Sequence, residues 1–109
     1  MPRESDFLLV HVTCATLPEA RKIARSVVQK KLAACVNILT YPVESIYQWE
    51  GKLESSSELL LLMKTTAKRV KALQEEVLRL HSYDTPEFIV TPIVEGSEKY
   101  LKWVAAIED

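Results

Sequence analysis

The chain has 109 residues, 48% of them hydrophobic and 27% charged, with a net charge of −1 at pH 7. One domain over 1–109 is expected, long enough to bury roughly 65% of its unfolded surface. Acids are interspersed with Lys and Arg, which argues against nucleic acid as a partner, and the longest apolar run, 59–63, is far too short to cross a membrane.

Residues 1–6 hold two acids and no apolar core, so they read as a flexible N-terminal tail rather than a signal peptide. Cys14 and Cys35 show no short CxxC spacing, which fits a reducing compartment, and a cytoplasmic location is expected. Only two glycines are present, so there is no phosphate cradle, and no organic cofactor is expected.

The apolar, β-branched run from Phe7 to Cys14 predicts a strand. Thr16 then reads as an N-cap, with Pro18 in the first turn of a helix that carries Ala20, Ile23, Ala24, Val27 and Val28 on one side and ends near Lys31-Leu32. A second strand is expected over 34–39, with Pro42 making it bulge or break before the pattern resumes over 43–49. Glu50-Gly51-Lys52 predicts a hairpin corner, with Gly51 supplying positive φ. The return strand is expected over about 58–64, followed by a helix from about Ala67 with Val70, Leu73, Val77 and Leu80 inward and Glu76 among the outward charges. After a loop comes a strand over 88–93. Gly96-Ser97 then precedes a last helix with Tyr100, Leu101, Val104 and Ile107.

This order, β-α-β-β-α-β plus a C-terminal helix, predicts an α+β, ferredoxin-like sandwich: one antiparallel sheet with helices on one face. Residues 59–63 are apolar toward both faces, so the uncovered face would be a large apolar patch. A homo-oligomer is expected to cover it.

The polar chemistry concentrates in the loop His81-Ser82-Tyr83-Asp84-Thr85-Pro86-Glu87. Loops held between rigid elements often carry binding groups. His81 and Glu87 suit a metal pair or an acid–base pair, although His81 is equally well explained as a cation at a helix C-terminus. Cys14 ends the first strand, and its soft sulfur beside an imidazole and a carboxylate would suit Cu or Zn. Tyr47 and Trp49 share a strand face and serve either as packing or as a pocket wall.

Residues 31–38 (KLAACVNI), 45–52 (SIYQWEGK), Lys64-Thr65-Thr66, the 81–87 loop and 100–103 (YLKW) closely resemble the CutA divalent-cation-tolerance family. The resemblance implies a ferredoxin-like homotrimer with hairpin strands pairing between subunits. It also implies tolerance to copper and other divalent cations through binding of Cu(II) or a similar ion. It carries the family's metal-binding histidine onto His81 and its acid onto Glu87. The cysteine falls on Cys14, two residues beyond the position some bacterial members use. Ser82 stands where the family usually has proline. Tyr47, Trp49, Lys64 and Tyr83 resemble the family's pocket near the subunit interface. The architecture is also similar to that of PII signalling proteins, so the alternative is a sensor trimer binding a small anionic metabolite there, with Lys64 as its cation. No activated nucleophile accompanies these groups, so an enzyme is not expected.

Overall fold

Alternation of side chains across the sheet decides which groups reach the core. A computed structural model describes residues 6–108, so the tail expected at 1–6 lies, Asp6 excepted, outside the described residues. Strand β1 (Phe7–Cys14) forms where predicted. Val10, Val12 and Cys14 are fully buried, whereas Phe7, Leu9 and His11 are only half-buried. Thr16 caps α1 (Leu17–Gln29) by accepting from the Glu19 amide, and Ala20, Ile23, Ala24 and Val27 are buried. The helix stops at Gln29, short of the expected end. Lys31 takes up φ 61°, and the amides of Lys31 and Leu32 bond to the carbonyls of Val28 and Val27. That is a left-handed closure, achieved here without the usual glycine.

Strands β2 (Cys35–Trp49) and β3 (Lys52–Thr66) make one long hairpin. Glu50 and Gly51 turn it with φ 50° and 79°, the two positive angles a tight two-residue corner needs. The return strand starts at Lys52, not near Glu58 as expected. Residues 52–57 are mostly polar and give no hydrophobic signal, yet their backbone pairs with β2 from Trp49↔Lys52 to Val43↔Glu58. The disturbance at Pro42 is a bulge rather than a break. Between Leu39 and Val43 β2 advances four residues while β3 advances two, from Leu60 to Glu58. Because the excess is even, side chains keep their faces across the bulge.

Helix α2 (Val70–Leu80) begins later than Ala67, because residues 67–69 form a turn closed by the Arg69 amide on the Thr66 carbonyl. Strand β4 (Phe88–Pro92) then pairs with β1. The sheet order is β2-β3-β1-β4, antiparallel throughout, which is the predicted ferredoxin-like arrangement. The main core joins Val10, Val12, Leu59, Leu61 and Met63 to Ile23, Val27, Leu73 and Val77.

Two expectations need correction. Helices do not occupy one face only: α3 (Glu98–Ala105), followed by a 3₁₀ turn (Ala106–Glu108), packs on β3 and β1 outside the main core. Its Val104 is fully buried, and the Tyr100 phenol lies close to Cys35, which shares a sheet face with Lys64 and Leu9. The second face is therefore partly covered by the chain itself. Glu76, placed outward from its charge, is 8% exposed. It accepts from Arg79 at 2.9 and 2.7 Å, from Ser26 at 2.6 Å and from Lys30 at 3.0 Å, clamping α1 to α2.

The Arg79, Ser26 and Lys30 donors hold the Glu76 carboxyl well below its ordinary value of 4.5. A depressed folded pKa adds stability that is present above the unfolded value and is lost as pH falls toward the folded one. Glu76→Gln should therefore melt several degrees below the parent at pH 7, with the gap closing as thermal scans move below pH 4.5. An unchanged gap at low pH would contradict this assignment.

Candidate functional site: an anchored loop and an acidic cleft

The loop begins where α2 ends. His81 is the C-cap residue, already extended at φ −76° and ψ 140°, and its side chain is fully buried. Its Nδ1 lies 3.1 Å from the Tyr83 amide and its Nε2 2.7 Å from the Thr13 carbonyl. An amide only donates, so Nδ1 accepts, and the ring proton sits on Nε2, where it donates to Thr13. The imidazole thereby ties the loop to the end of β1, with both nitrogens engaged.

A second tether runs to α1. The Ser82 amide and hydroxyl donate to Glu19 Oε2 and Oε1 at 2.7 and 3.0 Å. A proline at 82 would lack the first of these donors. Glu19 Oε2 also stands 3.5 Å from His81 Nδ1. Cys14 Sγ lies 3.9 Å from His81 Nε2. Burial, followed by the charges of Glu19 and Glu58, pushes its thiol up to about 12, so it is a thiol rather than a thiolate at neutral pH.

Tyr83 leans on the imidazole, with ring centroids 4.7 Å apart, and its phenol donates to Glu58 Oε2 at 3.0 Å. Burial and that bond push the phenol up to about 12. The Tyr83–Glu58 contact joins the loop to the hairpin, and beside it opens a cleft of about 590 Å³. Tyr47, Trp49, Glu54 and Glu58 line it from the hairpin, and Tyr83, Asp84 and Glu87 line it from the loop. Tyr47 sits opposite Glu54 across the strands, as their shared face requires. The wall thus combines three aromatic rings with four carboxylates, and no Lys, Arg or His among the described residues lines it.

Of the residues singled out in the sequence, Tyr47, Trp49, Tyr83 and Glu87 meet at this cleft, while Cys14 and His81 meet behind the loop. Cys14, His81 and Glu87 do not share one coordination sphere: among the described residues no three His, Cys, Asp or Glu side chains group closely enough to hold a metal ion. Lys64 is separate as well. It shares a strand face with Glu58 but lies six residues along β3, about 20 Å away, where its ammonium meets Asn37 Oδ1 and Cys35 Sγ. It neither lines the cleft nor neutralises Glu87 within the chain. Sequence reasoning missed Glu19 and Glu58. Glu19 looked like an ordinary first-turn acid, and Glu58 like the polar start of a strand.

The family model described as "CutA1 divalent ion tolerance protein" matches residues 8–107. The Arabidopsis thaliana protein described as "Protein CutA, chloroplastic" is 48% identical over 97 residues, covering 89% of this chain and 53% of its own length. The divalent-cation tolerance protein CutA of Archaeoglobus fulgidus is 39% identical over 95 residues, covering 87% of this chain and 91% of its own. The crystal structure of CutA from Xylella fastidiosa superimposes with a TM-score of 0.92 at 41% identity, covering 96% of this chain and 100% of that one. The chain spans about half the length of the plant relative and most of the archaeal one.

Removing the imidazole leaves the Thr13 carbonyl and the Tyr83 amide without partners. His81→Ala should cost roughly 2–6 kcal/mol, given about 1–3 for each of the two groups left unpaired. Urea unfolding measures it, and a loss below 1 kcal/mol would contradict the anchoring role.

Proposed function

Because this chain belongs to the CutA1 divalent ion tolerance family, we propose that it serves divalent-cation tolerance by holding the cation in the acidic cleft. The observation that carries this reading is the lining itself: four carboxylates with no Lys, Arg or His among them, which would meet an ion one or two at a time while water completes its shell. Oxygen donors of this kind accept a range of divalent ions, Cu(II) included, with little selectivity between them. Glu87 and Asp84, both exposed at the loop, are the first donors an arriving ion meets. His81 acts as a positioning residue, since direct ligation would cost it the bond to Thr13 or to Tyr83. Ligation by Cys14 would require its thiol to lose a proton.

In this reading the protein works as a cytoplasmic homotrimer. Tyr41 and Leu53 are 87% and 74% exposed on the hairpin outside the cleft, apolar surface of the kind a partner copy covers. The number three rests on the family resemblance of the hairpin motifs. Both cysteines are free thiols, which suits a reducing compartment. Among the described residues no helix is long and apolar enough to cross a membrane.

An anionic metabolite fits this cleft poorly, because carboxylates would repel it and Lys64 lies elsewhere. The family description names a tolerance protein and no reaction. A catalytic role has no support in the side chains either, since the Tyr83 phenol and the Cys14 thiol both remain protonated at neutral pH.

Calorimetric titration with Cu(II) should show Glu87→Gln and Asp84→Asn each weakening binding about fivefold, the effect of roughly 1 kcal/mol for one solvent-facing charge contact. Binding unaffected by both changes together would remove the cleft as the metal site. Light scattering on the purified protein at micromolar concentration should give the mass of three chains, and a stable monomer would sink the assembly reading.

A further inference from the structure

We infer that the cleft is also a site for an aliphatic polyamine, in which two or more ammonium groups are joined by methylene chains. The inference shares its lining with the metal reading, yet the two can fail separately. Its first support is the spacing of the acids. Glu54 and Glu58 stand four residues apart on one face of β3, about 13 Å along the strand, and Asp84 and Glu87 face them from the loop. No three of these carboxylates group closely enough for a single ion. A point charge meets one or two of them and leaves the others uncompensated, whereas an extended polycation meets several.

The aromatic wall points the same way. Tyr47 and Trp49 are 43% and 53% exposed, and Tyr83 completes the wall from the loop. Their π faces attract an ammonium and also remove methylene groups from water. A hydrated metal dication draws little from such faces.

Glu58 supplies the third argument. It is 8% exposed and lines the cleft, and its Oε2 takes the Tyr83 phenol. Among the described residues no other donor reaches its carboxylate and no Lys, Arg or His lines the cleft beside it. With one oxygen bonded to Tyr83 and the other not buried, the carboxylate keeps an acceptor open to the cleft. An ammonium N–H completes it with a charge-assisted bond. The volume of about 590 Å³ falls within the range of small-ligand sites.

The test is calorimetry and thermal shift of the intact protein with spermidine at low ionic strength. Saturable binding with a raised melting temperature is expected. Trp49→Ala, at an exposed position, and Glu58→Gln, which can still accept from Tyr83, should each weaken it about tenfold. Glu44→Gln, on the hairpin but outside the cleft, should leave it unchanged. Absence of saturable binding at millimolar spermidine overturns the inference, as does equal weakening by Glu44→Gln, which would mark diffuse attraction to an acidic surface. Cu(II) titrated separately distinguishes the two readings. Copper bound at the cleft without spermidine leaves only the metal reading, while spermidine bound with both variant effects and no copper leaves only this one.

Discussion

Strand β3 is the element from which everything else takes its position. Residues 59–66 pair with β1 on one side, while the strand pairs with β2 on the other along nearly all its length. The doubly paired inner half is apolar toward the helices, with Leu59, Leu61, Met63 and Thr65 buried. The outer half pairs only with β2 and is mostly polar. Glu58 lies at the junction, one residue beyond the last pairing with β1. A slip of one residue in this register would turn Glu58 into the helix layer and carry the core residues out to the other face. The cleft therefore depends on a backbone register that its own residues do little to maintain.

The loop is held by polar bonds at three points: His81 to Thr13, Ser82 to Glu19, and Tyr83 to Glu58. Each attaches it to a different element, β1, α1 and β3. Such a loop is not free to follow a ligand, so Asp84 and Glu87 are presented at the cleft by a fixed frame. That frame also explains how a chain with a net charge of −1 keeps a strongly acidic recess. None of the described Lys or Arg residues lines it, and several are committed elsewhere: Lys30 and Arg79 to Glu76, Lys64 to Asn37, and Lys102 to Glu98. Near-neutrality of the whole chain conceals a local separation of charge.

Family membership and site geometry constrain different things. The CutA1 match and the superposition on solved relatives establish the fold and associate it with divalent-cation tolerance. They do not choose the donor atoms. The geometry does bear on that choice, because an imidazole with both nitrogens hydrogen-bonded and a thiol with a raised pKa are poor first ligands, whereas solvent-facing carboxylates are ready ones. The residues with the most distinctive chemistry in the loop thus serve its architecture, and the plainer acids line the accessible surface.

The element order, the N-cap at Thr16, the corner at Gly51 and the faces of β1 were legible in the sequence, because each follows from local rules: periodicity of two or 3.6, cap chemistry and the tolerance of glycine for positive φ. The first half of β3 was not, since its partners are the backbone groups of β2 and its side chains are mostly polar. The burial of Glu76 was hidden for a similar reason, as its donors Ser26 and Lys30 lie about fifty residues away on another helix. At the site, the sequence by itself determined that 81–87 would concentrate polar groups near a strand mouth. Only the tertiary structure decided that Cys14 and His81 sit behind the loop, that Lys64 belongs elsewhere, and that Glu58 is the buried acid of the cleft. Those outcomes depend on pairing register and on contacts between distant segments, which local sequence patterns do not encode.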